Sequence, residues 1–192
     1  MQGHHANLEA DPAKHAPQRR RGRREETPME GLNLTSVNES CSLRLGARIG
    51  EQVEGGDVLA LWGELGSGKT LFTRGIARGM GVPQQIPITS PTFTIINEYE
   101  ARLRLYHLDL YRLTTLDELE TLPWREVMFG PGVAVIEWPD RMGGLLPDKR
   151  WDITFEFLDD DRRSITLAAH GGREQARLAR LAQELTEITL QP

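Results

Sequence analysis

A continuously apolar run, Val58 to Trp62, leads directly into "GELGSGKT" at residues 63–70, and this junction constrains the chain more than any other feature. The run follows a glycine turn ("GGDVLALW") and shows no polar alternation, the pattern of a strand buried on both faces. The octapeptide fits G-x-x-x-x-G-K-[ST], with Gly63 and Gly68 framing four residues and Lys69-Thr70 following. Glycines adopt backbone angles that other L-residues avoid, so amide N–H groups can converge on an anion. A helix expected over Thr70 to Met80, ended by Gly81 and Pro83, adds its positive dipole end. Gly63, Glu64, Leu65, Gly66, Ser67, Gly68, Lys69, Thr70 and Leu71 are therefore the expected nucleotide-binding stretch. Within it Lys69 would reach the β and γ phosphates and the Thr70 hydroxyl would ligate magnesium.

The rest of the chain predicts the company this loop keeps. "LNLTSV" reads as a short strand, and Asn38 as the cap of a helix running to about Val53. "TFTIINEYE" (92–100) and "LRLYHLDLY" (103–111) are expected to form a hairpin. "TLDELETL" and "WREVMF" read as two short helices broken at Pro123, and "GVAVIEW" (132–138) as a second fully apolar strand. "WDITFEFL" and "RRSITLAA" alternate and predict an antiparallel pair, with a last helix from about Glu174 to Leu185. The expected fold is α/β: a P-loop NTPase-like three-layer arrangement around a mixed parallel and antiparallel sheet.

Binding a phosphate is not hydrolysing one; that needs a carboxylate for magnesium and a group that positions water. Glu137 is the first candidate, because it ends the apolar strand "VAVIE" and that end of an open α/β sheet faces the ligand crevice. Its bland alternative is a cap for the turn that follows. Asp109 is the second: in a strand, His107, Asp109 and Tyr111 share one face and Leu108 and Leu110 the other. Such a polar face either lines a site or belongs to a solvent-facing edge strand. Trp138 either stacks on a base or belongs to the core.

Composition narrows the setting. With 39% apolar and 27% charged residues in 192, the chain reads as one soluble globular domain over 32–192 behind a disordered extension over 1–31. The polar N-terminus lacks the apolar run of a signal peptide, no segment is apolar enough to span a bilayer, and Cys41 is the sole cysteine. The expected location is the cytoplasm. "RRRGRR" (19–24) is either a nucleic-acid arm or a solvated, dispensable stretch, and Met29 is an alternative start. Residues 1–32 carry six basic against five acidic residues, so the net charge of −5 leaves −6 for the remainder. A folded part so acidic lacks the basic face of an autonomous nucleic-acid binder.

Together "GELGSGKTLFTRGIARGMGV", "SPTFTIINEY", "YHLDLYRL", "DELE" and "VAVIEWPDR" resemble, in order and spacing, the bacterial TsaE family of P-loop ATPases required to make threonylcarbamoyladenosine in tRNA. The resemblance covers about residues 33–168. It implies ATP and magnesium as ligands, and a complex with the threonylcarbamoyl transferase subunits TsaB and TsaD, whose turnover ATP hydrolysis supports. The acidic charge of the folded part, not the resemblance, predicts that any contact with tRNA depends on those partners. By motif match, Thr70 and Glu137 fall on the family's magnesium positions, Asp109 on its catalytically important acidic residue, and Trp138 on the adjoining aromatic. Ser90 and Thr92 of "SPTF" match a switch-like loop, and Asp140 and Arg163 fall near nucleotide contacts. The chain departs from the pattern with Glu64 where Asp is usual, Ser67 for a common Ala, and Leu122-Pro123 where a glycine-containing turn is more usual.

Other functions share the loop. A small-molecule or nucleoside kinase would need an acceptor pocket and an arginine-rich lid, for which Arg102, Arg104 and Arg112 are the nearby set. A GTPase would need more than "DRMG" (140–143), since no N-K-x-D accompanies it.

Overall fold

Val58–Trp62 (β2) and Val133–Glu137 (β5), the two apolar runs, are neighbouring parallel strands at the centre of a seven-stranded sheet. The computed structural model describes residues 31–190, so "RRRGRR" and Met29 lie outside the described residues. Around the central pair stand β1 (Leu32–Ser36), β3 (Ile96–Tyr99), β4 (Leu105–Asp109), β6 (Arg150–Phe157) and β7 (Arg163–His170), in the order β1-β7-β6-β2-β5-β4-β3. The inner four, β6-β2-β5-β4, run parallel, while β3 and the β7-β1 pair join antiparallel at either side. The sheet is mixed, as expected.

Both apolar strands are continuous because both faces are covered. Leu59, Leu61, Val133 and Val135 join a core with Leu45 and Ile49 of α1 (Glu39–Gln52), Phe72 and Ile76 of α2 (Lys69–Gly79), and Leu178, Leu181 and Leu185 of α5 (Gly172–Thr189). Val58, Ala134 and Ile136 face the other way, toward Leu119 of α3 (Leu116–Glu120) and Trp124 and Val127 of α4 (Trp124–Phe129). Helix, sheet and helix give the three layers.

Local chemistry sets the ends of the elements that carry the site. Asn38 caps α1, its side-chain oxygen accepting from the Cys41 amide at 2.8 Å. Arg102 closes the other end, donating to the carbonyls of Gly50 (2.8 Å) and Val53 (2.6 Å). Helix α2 lies very close to α1: a β-carbon at Gly75 would stand 2.5 Å from the Leu43 carbonyl oxygen, and one at Gly79 would overlap that of Ala47. At these glycines the two helices touch backbone to backbone, beside the packed side chains of Leu45, Ile49, Phe72 and Ile76. Arg177 of α5 pins the opposite end of β2, gripping both Asp57 carboxylate oxygens at 2.7 Å in a buried pair.

Two expectations shift. The strand expected over 92–100 begins only at Ile96, because Ile95 stands at φ +66° with its amide bonded to Pro91 O. The edge-strand alternative for "YHLDLY" fails: β4 is flanked by β3 and β5, His107 and Asp109 are buried, and Tyr111 lies beyond the strand. The helix pair around Pro123 forms as read, with Thr115 and Glu118 making a capping box on α3 and Pro123 preceding α4.

Candidate functional site

The loop 63–68 leaves β2 and enters α2, and in front of it opens a cavity of about 400 Å³. Leu65, Gly66, Gly68, Lys69, Thr70 and Leu71 line one side; Ser90, Thr92, Asp109, Tyr111, Glu137 and Trp138 line the other. These groups meet because β2, β4 and β5 are parallel and end together, with Glu137 in register with both Leu61 and Asp109.

Gly66 (φ +80°) and Gly68 (φ +102°) hold the backbone turns that L side chains resist, and a β-carbon on either would meet nothing within 4 Å. The loop surface is therefore bare backbone facing open space, followed by the first turn of α2, which suits an anion. Lys69 is buried, its Nζ donating to the carbonyls of Gly63 (2.7 Å) and Glu64 (2.8 Å) and lying 4.1 Å from the centre of the Trp138 ring. Burial pushes this ammonium below its ordinary 10.5, against the opposing pull of Glu137, Asp109 and Asp140. The Ser67 hydroxyl is buried without a hydrogen-bond partner among the described residues.

Thr70 on α2 donates to Glu137 Oε2 at 3.0 Å, across from the first turn of the helix to the end of β5. The other oxygen, Oε1, stands 2.8 Å from His107 Nε2. A threonine hydroxyl beside a carboxylate is a hard oxygen pair that suits magnesium, which takes few protein ligands and completes its shell with water and phosphate oxygens. Among the described residues no group of three or more His, Cys, Asp or Glu is gathered for a metal.

Asp109 is occupied differently. Its Oδ2 accepts from Ser90 and from Thr92 (3.2 Å), and its Oδ1 from the Tyr111 amide (3.1 Å). The segment 90–95 is therefore tied to the end of β4 by hydroxyl-to-carboxylate bonds. Trp138 takes a left-handed backbone (φ +60°), uncommon outside glycine, and packs against Tyr111 with ring centres 5.0 Å apart. It serves both as cavity wall and as partial cover for the second core cluster.

Of the residues expected from sequence, the structure brings Leu65, Gly66, Gly68, Lys69, Thr70, Leu71, Asp109, Glu137 and Trp138 to the cavity wall. Gly63 and Glu64 stand behind it as acceptors for Lys69. Asp140 is exposed and off the wall, 3.5 Å from Arg141. Arg163 lies on the β6–β7 hairpin, donating to the carbonyls of Asp159, Asp160 and Arg162, and is not among the lining residues. Alternation puts His107 on one face with Asp109 without indicating a role, because its contact with Glu137 comes from strand register, which alternation alone does not supply.

Comparisons agree with the geometry. The profile of the family described as "Threonylcarbamoyl adenosine biosynthesis protein TsaE" matches residues 36–165. A Treponema pallidum protein named tRNA threonylcarbamoyladenosine biosynthesis protein TsaE is 42% identical over 137 residues, 71% of this chain and 100% of the relative. A Bacillus subtilis protein of the same name is 40% identical over 146 residues, 76% of this chain and 90% of the relative. Among solved structures, that of Bacillus subtilis YdiB superposes with a TM-score of 0.66 at 36% identity, covering 81% of this chain and 96% of the other.

Proposed function

The chain belongs to the TsaE family, and from that premise we propose that it is a magnesium-dependent ATP hydrolase required for threonylcarbamoyladenosine formation in tRNA. In this reading it works with the TsaB–TsaD transferase in the cytoplasm and meets tRNA only through those partners. No described helix is long and apolar enough to cross a membrane.

The observation that carries the reading is the convergence of Lys69, Thr70, Glu137 and Asp109 on one cavity beside a bare backbone loop. Lys69, already charged and turned to the Gly63 and Glu64 carbonyls, exchanges those acceptors for phosphate oxygens. Thr70 and Glu137 are the residues that would hold magnesium, which when bound neutralises charge developing on the phosphates. Asp109, fastened to Ser90 and Thr92 rather than to Thr70, is assigned to orienting the attacking water. The −6 charge outside residues 1–32 opposes independent tRNA binding.

Two binding measurements test this. Competition between ATP and GTP for the full chain should favour ATP, and Lys69→Ala should weaken binding by about 100-fold, the worth of lost charge-assisted hydrogen bonds of about 3 kcal/mol. Co-purification with TsaB and TsaD should depend on ATP. A preference for GTP, or phosphoryl transfer to a sugar or nucleoside by the isolated protein, would refute the reading.

A further inference from the structure

We propose that His107 is a positioning residue for this site: it holds the Glu137 carboxylate in the orientation that presents Oε2 to Thr70. The inference rests on the proposed function and concerns how its magnesium-facing carboxylate is set.

His107 is completely buried in the middle of β4, in register with Val135 of β5, two residues before Glu137. On its face of the sheet it lies between Leu105 and Asp109, beside Val133 and Val135 of β5 and opposite Asn97 of β3. A polar ring here costs desolvation that a leucine would not, so packing alone gives no reason for it. What the imidazole adds is one contact, Nε2 to Glu137 Oε1 at 2.8 Å, reaching diagonally across the strand pair. An ionised carboxylate can only accept, so Nε2 carries the hydrogen and donates. The second nitrogen, Nδ1, is buried without a hydrogen-bond partner among the described residues. A lone acceptor left unsatisfied is tolerable where a single donor bond is what the ring supplies.

The consequence for Glu137 is geometric. Its two oxygens are divided between two donors, His107 on the strand side and Thr70 on the helix side. Without His107, Oε1 loses its anchor in the sheet and the carboxylate is free to rotate about its terminal bond, which is torsionally soft. Partners that orient a metal-facing carboxylate commonly matter 10–100-fold for metal affinity or activity.

The test compares His107→Leu, which keeps bulk but removes the donor, with His107→Gln, whose amide can donate from nearly the same place. Each full-length variant is titrated with a fluorescent ADP analogue in EDTA and again across a magnesium series, and melting is followed in parallel. Hydrolysis is then measured with the transferase subunits present. For His107→Leu the account expects nucleotide affinity in EDTA within about twofold of wild type, a magnesium requirement raised by about 10–100-fold, and turnover lowered accordingly. His107→Gln should recover the magnesium requirement to within about threefold. An unchanged magnesium requirement in His107→Leu would overturn the proposal, as would a Gln variant no better than Leu at equal melting temperature. Wild-type chain that binds no nucleotide would instead bring down the proposed function, and this inference with it.

Discussion

Glu137 and Asp109 end adjacent strands in register, yet the structure secures them by different means. Glu137 sits at the tip of a fully buried strand, with one oxygen bonded to a strand histidine and the other to the first turn of a packed helix. All of its partners belong to regular structure. Asp109 is instead held to a loop, through the hydroxyls of Ser90 and Thr92 and the Tyr111 amide. The difference teaches that one half of the cavity is built into the sheet and the other is fastened to it. Glu137 is held from β4 and from α2, whereas the segment 90–95 reaches Asp109 through two hydroxyl-to-carboxylate bonds and one backbone bond, Asp109 N–H to Ile95 O, which can exchange without disturbing a strand. Under the proposed function, a site divided in this way would keep its nucleotide-facing shape on one side while a partner reset the other.

The sharpest way to break the comparison is Glu137→Ala. Loss of a metal-facing carboxylate worth about 4 kcal/mol should lower partner-stimulated turnover by roughly 1,000-fold, while nucleotide affinity in EDTA changes little. Asp109→Ala should cost about 100-fold in turnover, as expected for a group that orients water, with a smaller loss of affinity. If Asp109→Ala left hydrolysis unchanged, the catalytic half of the comparison would be gone.

Lys69 gives a pH signature for the fixed half. Its ammonium is depressed by burial in the free protein, and bound phosphates would favour the charged form. The complex therefore holds this proton more tightly than the free chain. Nucleotide affinity should be full below the depressed value and decline as pH rises through it, by at most about tenfold per pH unit. Calorimetric titrations at successive alkaline pH values would show the decline, and a flat profile would count against the role of Lys69. The smallest effect is expected from Ser90→Ala, about tenfold in turnover for one lost hydroxyl-to-carboxylate bond of about 1.5 kcal/mol. It should also speed amide exchange over 90–95 and leave exchange in β5 unchanged. Equal acceleration in both would erase the distinction between the two halves.

The same division explains what the sequence made legible. The conformation of the loop 63–68 and the helix after it could be read because glycine conformations and a following helix are local properties. Glu137 followed from an apolar run, since a strand covered on both faces leaves its polar terminus at the crevice. The fastened half was harder. Alternation placed His107 and Asp109 on one face but could not tell a covered strand from an edge, because that depends on β3 lying outside β4. The turn at Ile95 reads as strand from sequence, since Thr and Ile favour strands and the bonds that draw Ser90 and Thr92 inward go to the distant Asp109. Arg163 carried a family expectation; strand pairing with Phe157 and Ser36 places it at the start of β7, where its side chain is engaged by the carbonyls of Asp159 and Asp160.

The central claim is that this cavity hydrolyses ATP with magnesium and does so in service of a partner. It is tested most directly by the rate of phosphate release from ATP by the full chain, alone and with TsaB and TsaD, each with and without magnesium. The account predicts slow magnesium-dependent release from the chain alone, a many-fold rise with both subunits, and no such rise in Glu137→Ala. Release that ignores magnesium, or that the transferase subunits do not raise, would contradict it.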